Sequence, residues 1–170
     1  MRGTLENCLA KRGNTHPATL QAASELGLML QSNQRHDEAE ALLREVWRGQ
    51  CQINGQNHPD TLAAASNLGV LLLERGSLVD HTSTSGTSSD NAGVVASVAA
   101  VDVTGRRTDA LDEAEHLLRG ALRGYTAMSG PRHPDTLTSI DLLSQLLQQR
   151  PGALSEAEDL SRQALEGREF

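Results

Sequence analysis

At 170 residues the chain is long enough to bury a core, yet it holds a single Trp, Tyr and Phe, so that core must be built from Leu, Ala, Val and Met, the palette of packed helices. A formal charge of −7 excludes a sequence-independent hold on nucleic acid or on an anionic membrane face, both of which need surplus Lys and Arg. Cys8 and Cys51 are too few and too far apart for a disulfide framework or a zinc site, and neither a signal-peptide core nor a run of ~20 apolar residues is present, which predicts a soluble, cytoplasmic protein without membrane insertion.

In chain order, residues 1–15 come first. Leu5 to Gly13 aligns with Trp47 to Gly55, so this stretch is expected to be the end of a truncated preceding repeat, and the chain a piece of a longer array. The first full unit, 16–57, opens with HPATLQAASELGLMLQ. Residues 58–132 open with HPDTLAAASNLGVLLL, identical at 10 of 16 positions. Residues 133–170 open with HPDTLTSIDLLSQLLQ, matching the second copy at 8 of 16. His16 and His58 lie 42 residues apart and His58 and His133 lie 75 apart, so one unit carries an insertion.

Within the first unit, Leu20, Ala23, Leu26, Gly27 and Leu30 fall at helical spacing, and Leu62, Ala65, Leu68, Gly69 and Leu72 repeat the stripe. Pro17, Pro59 and Pro134 sit where a helix tolerates proline best, in its first turn. The H-P-x-T-L block thus starts a first helix. A second helix follows in DEAEALLREVWRG from Asp37, shared at 9 of 13 positions by DEAEHLLRGALRG from Asp112, with SEAEDLSRQALEG from Ser155 a looser copy. Its apolar stripes are Ala39, Leu42, Leu43, Val46 and Ala114, Leu117, Leu118, Ala121. Acidic residues open it and arginines are expected to close it, with Glu40/Arg44, Glu115/Arg119 and Glu158/Arg162 as exposed i,i+4 pairs worth tenths of a kcal/mol. Gly49, Gly55 and Gly130 are read as turn residues after the second helix.

Small residues at Gly27, Gly69, Ala39 and Ala114 let the two helices of a unit approach closely, and each hairpin then needs its neighbour to cover its remaining apolar edge. Leu160, Ala164 and Leu165 would leave such an edge open at the end. The fold class is all-α, a right-handed α-solenoid of antiparallel helix pairs with a 42-residue period.

The insertion, about 77–109, falls at the turn inside the second unit. HTSTSGTSSDNAG has a flexible, low-complexity composition, and GVVASVAAVDVTG is β-branched enough to attempt a strand. With no sheet to join, a mostly disordered excursion is expected, with at most a short helical or extended piece. Its Ser and Thr are possible phosphorylation sites; a neutral insertion without function is the simpler reading.

Chemistry has little foothold. His16, His58 and His133 recur, but adjacent units stand apart by ~8–10 Å per helix layer, far beyond shared coordination at ~2 Å. They are read as turn residues, and no metal or cofactor is expected. Asp37-Glu38-Glu40 and Asp112-Glu113-Glu115 recur at helix starts, where dipole complementarity accounts for them. No phosphate loop, H-E-x-x-H or G-x-S-x-G is present, and neither cysteine has a base nearby in sequence, so no catalytic residue is assigned.

The Leu-Gly pair in the first helix, with Leu30 or Leu72 three residues later and an alanine early in the second helix, resembles the tetratricopeptide signature, with leucine at the usual aromatic positions. The period exceeds the ordinary ~34 residues by eight, and a 42-residue unit punctuated by HPDTL, NLG, DEAE and LRG looks like the kinesin light chain variety. Armadillo and HEAT repeats share periods of ~40–47; the Leu-Gly and DEAE placements favour the tetratricopeptide type.

The resemblance implies a non-enzymatic adaptor that binds a protein or peptide in a groove lined by first helices, with a kinesin heavy chain or a cargo protein as partner of the full-length parent. The groove candidates it supplies are Gln21, Ser24, Glu25 and Leu28, then Ser66, Asn67, Val70 and Glu74, then Asp141, Gln145 and Gln149. Asn67 stands where the family places an asparagine suited to holding a peptide backbone, whereas Glu25 and Leu142 fill the equivalent places. A face with these acids and no Lys or Arg suits a polar or basic extended segment. The alternative is the regulatory repeat region of a larger enzyme, such as a nucleotide-switched ATPase or a protease, which a phosphate loop or a Cys/His pair in the neighbouring frame would mark. A structural spacer is a third reading.

Overall fold

A computed structural model describes residues 16–82, 95–150 and 152–168. These form six helices: α1 Pro17–Ser32, α2 His36–Asn54, α3 Pro59–Thr82, α4 Val95–Ser129, α5 Pro134–Gln148 and α6 Leu154–Arg168. They pair as three antiparallel hairpins, α1/α2, α3/α4 and α5/α6, stacked in chain order. Among the described residues no helix is long and apolar enough to cross a membrane. The proposed repeat end at 1–15, with Cys8, lies outside the described residues.

Each hairpin begins in the same way. His16 and His133 occupy N-cap positions, and their imidazole Nδ1 atoms accept from the backbone N–H of Ala18 at 3.1 Å and of Asp135 at 3.3 Å. His58 accepts from Asp60 N–H at 3.2 Å. The recurrent histidine is therefore a cap, satisfying an N–H that has no partner inside the helix. The threonine two residues past the proline locks the incoming turn: Thr61 Oγ1 donates to Gly55 O at 2.7 Å and Thr136 Oγ1 to Gly130 O at 2.8 Å. Both carbonyls belong to glycines in the left-handed region, φ +82° and +89°, where a Cβ would be strained.

Most of the expected stripe residues are buried in one core running through all three hairpins, while Leu62 and Ala121 form a smaller cluster with Tyr125. Within a hairpin the backbones meet at two levels. A Cβ on Gly27 would come within 2.8 Å of Leu43, and one on Gly69 within 2.9 Å of Leu118. At the other level, Gly49, Gly124 and Gly167 face Leu20, Leu62 and Leu137, each leaving 2.7 Å or less for a Cβ. Gly49 is thus a correction. It was expected in a turn, but α2 runs on to Asn54 because the chain needs a bare backbone there for Leu20, not a change of direction.

That extra length also moves the arginines away from the end of α2, whose last turn carries no basic residue. They act between hairpins instead. Arg44 bridges its own Glu40 and Glu113 of α4, while Arg75, from α3, reaches back to Asp37 at 3.2 Å and to Glu40. The next junction repeats this: Arg119 holds Glu115 at 2.9 Å and Glu156 of α6 at 2.8 Å, and Arg150 holds Asp112 and Glu115. The isolated-pair reading fails for Glu40/Arg44 and Glu115/Arg119, because networks of partly desolvated charges are worth more than exposed pairs. Arg162 pairs weakly with Asp159 at 3.8 Å rather than with Glu158.

The insertion departs from expectation too. Residues 77–82 prolong α3, and 95–109 form the start of α4, so most of the excursion is helix; 83–94 lie outside the described residues. Continuing a helix already nucleated by a packed hairpin costs little, and the alanines of this stretch favour it. Of the edge residues at the end, Ala164 is 1% exposed, packed with Leu137 and Ile140, and Leu160 is half-buried; Leu165 is open at 61%.

Candidate functional site

Among the described residues, backbone contacts join α1 to α3 and α3 to α5, whereas the second helices of neighbouring hairpins make none. The stack therefore bends with the first helices on its inner side. Two clefts open there.

One, of about 390 Å³, is lined by Gln21 and Ser24 of α1, Asn67 of α3 and Gln50 of α2. The other, of about 570 Å³, brings together Leu28 and Gln31 of α1, Glu74 and Ser77 of α3, and Gln145 and Gln149 of α5, with His36 at its edge. Seven of the eleven expected residues thus fall into two groups, while Glu25, Ser66, Val70 and Asp141 line neither cleft.

Several of them already have partners. Gln31 Nε2 donates to Glu74 Oε2 at 2.8 Å, and Gln149 Nε2 donates to Ser77 Oγ at 2.8 Å, two rungs that tie α1 to α3 and α3 to α5. Asp141 takes Arg168 of α6. The expectation of a face without Lys or Arg fails at that point, because Arg168 belongs to a second helix and reaches over. Ser66 Oγ is buried with no hydrogen-bond partner. Beside it Asn67 is half-buried and makes no hydrogen bond among the described residues, so its amide keeps both donor and acceptor capacity facing the smaller cleft.

Gln31, Gln34, His36 and Ser77 were missed as lining residues. Gln34 holds the turn between α1 and α2 at φ +63°, and this turn closes the larger cleft. Nothing in the residue types marks them; they face the cleft because successive hairpins rotate against one another. Burial pushes the Cys51 thiol above its ordinary value, so it is held as a neutral thiol rather than a nucleophile. Among the described residues no cluster of three or more His, Cys, Asp or Glu could hold a metal.

Two family models, both described as tetratricopeptide repeat, match residues 19–60 and 104–169. No curated protein matches the chain. Among solved structures, BtubC (BKLC) from P. vanneervenii superposes over 97% of this chain with a TM-score of 0.69 at 14% identity. That likeness shows the fold, and the chain spans about half of that structure's length, 52%. A Podosopora anserina protein of nearly identical TPR-like repeats, assigned to kinesin light chains, is 22% identical over 98% of this chain and 83% of its own, with a TM-score of 0.42. A superposition that loose adds nothing to the fold.

Proposed function

Because the chain belongs to the tetratricopeptide repeat family, whose members mediate protein–protein contacts, we propose that it holds an extended segment of a partner along its first helices. The observation that carries this is Asn67, a half-buried amide that lines an inner cleft and makes no hydrogen bond among the described residues. A buried polar group left unpaired costs stability, and a peptide backbone supplies the missing donors and acceptors.

We further propose that the array is of the kinesin light chain type, serving as an adaptor in the cytoplasm for cargo or a motor subunit. The 42-residue unit and the HPDTL, NLG and DEAE blocks support this reading. The partner segment is polar or basic: Glu25 is exposed on α1, and Glu74, which lines the larger cleft, is only partly satisfied by Gln31.

A displayed library of unstructured peptides tests it. Ligands recovered on the chain should weaken at least tenfold with Asn67→Ala and should lose their basic preference with Glu25→Lys plus Glu74→Lys. Unchanged affinity of every ligand for both variants, with helicity intact, removes the groove assignment.

A further inference from the structure

We propose a second docking surface on the opposite, outer side, between the second helices of the first two hairpins, for a partner segment that presents an apolar side chain flanked by carboxylates. A cleft of about 690 Å³ opens there, walled by Trp47 and Cys51 of α2 and by His116, Gly120, Arg123 and Met128 of α4.

Three observations define the occupant. The first is charge. In a chain with 22 acidic and 15 basic residues, no carboxylate lines this cleft, whereas Arg123 and His116 do. Arg44, Arg75, Arg119 and Arg150 are all consumed by the junction networks. Arg123 has no ion pair among the described residues, so its charge is left for an anion supplied from outside.

The second is Gly120. A glycine inside a helix costs stability, and at Gly27, Gly49, Gly69, Gly76, Gly124 and Gly167 a leucine occupies the place of the missing side chain. Gly120 has nothing within 4 Å of its Cβ position. The matching positions of the other hairpins hold Glu45 and Gln163, so the bare backbone is particular to this cleft. The third is apolar exposure. Met128 is 48% exposed at the rim, and Trp47 is only partly covered by the core. Together they give an apolar seat with a cationic border, which an apolar residue between acids matches in both respects.

Trp47 is the chain's only tryptophan, so its emission reports occupancy directly. The probes are three synthetic peptides, one with leucine between Asp and Glu residues, one with those acids replaced by Lys, and one with the leucine replaced by Ser. The first should change Trp47 emission saturably and bind at least tenfold more tightly than the others, less so at high salt. Gly120→Gln, which copies the third hairpin, and Arg123→Glu should each weaken it at least tenfold without lowering the melting temperature. Asn67→Ala should leave it unchanged, which separates this surface from the inner clefts. The proposal is overturned if the acidic peptide gives no saturable signal up to about 1 mM, or if either variant binds as native does. An emission that depends on protein concentration without peptide also overturns it, because a second copy then fills the cleft. Should Gly120→Gln fold poorly, the exposed Arg123→Glu decides.

Discussion

The first two hairpins and the third solve one packing problem with different chemistry. In the first two, a glycine of the first helix makes room for a leucine of the second, Gly27 for Leu43 and Gly69 for Leu118. In the third, the same two positions are Ser144 and Ser161. Ser144 Oγ donates to Ala157 O at 3.0 Å and lies 2.6 Å from Ser161 Oγ, while Ser161 also donates to Ala157 O at 2.9 Å. One large and one absent side chain have become two small ones joined by hydrogen bonds. What persists is a small residue opposite the contact, Ala39, Ala114 and Ala157, all at most 1% exposed. The fold specifies an approach, and side chains satisfy it in more than one way.

That contrast can be broken most forcefully at Leu118, which is fully buried. Leu118→Ala should cost about 3 kcal/mol through lost burial and a residual cavity, lowering the melting temperature by roughly 6–12 °C. Ser161→Ala should cost about 1 kcal/mol, the worth of one hydrogen bond, because Ser144 keeps Ala157 O. Thermal melts followed by circular dichroism compare them, and equal losses would erase the distinction.

Next in size is the glycine itself. Gly69→Ala should destabilise by about 1–2 kcal/mol despite the better helix propensity of alanine, since Leu118 cannot move aside in a filled core. Ser144→Ala should cost no more than about 1 kcal/mol, as that position already holds a Cβ. Adding Leu118→Ala to Gly69→Ala should cost less than the two separately, and a double-mutant cycle measures the coupling.

Smaller again is the charge at the junctions. Arg75→Gln should cost about 1 kcal/mol at low salt, and the loss should shrink in about 1 M NaCl. Arg162→Gln should have almost no effect at either salt. Glu40, 13% exposed, makes the difference, because Arg75 serves a carboxylate largely withdrawn from water.

How much of this could be read from residues follows the same division. The stripes, the H-P-x-T-L starts and the turn glycines Gly55 and Gly130 were readable because period and backbone conformation leave local marks. Gly49 was misread as a turn, although Gly124 and Gly167 stand in the same register; each matters through a leucine roughly 30 to 60 residues earlier, and only the folded hairpin brings the two together. Arg75 and Arg150 recur at one place in the repeat, yet their partners lie in the preceding hairpin. For the site, the inner face of the first helices was identified, but not its division into two clefts, nor the use of Glu74, Gln149 and Asp141 by Gln31, Ser77 and Arg168. Those depend on the rotation between hairpins, which no single helix records.

The least expected effect concerns Tyr125, the only tyrosine, 8% exposed beside Leu62 and Ala121. Burial and, secondarily, the carboxylates of Asp135 and Asp60 raise its phenol above the ordinary value near 10. A raised folded pKa means that the fold keeps its full contribution from Tyr125 below that ordinary value and loses it as pH rises through the folded one. Ultraviolet titration should place the midpoint above that of the unfolded chain; near neutral pH the phenol is protonated in both states, so stability there does not vary with this group.

The arginines that reach back across each junction have a mechanical meaning. Arg75 of α3 fastens the start of α2, and Arg150, just past α5, fastens the middle of α4, so the charged straps run along one edge of the stack and the leucines hold its middle. Salt weakens the edge and leaves the middle intact. The array is then a lopsided spring, stiffer in dilute buffer, whose curvature relaxes with ionic strength before any helix melts. Small-angle scattering across a salt series reads that relaxation as a change in overall dimension at constant helicity.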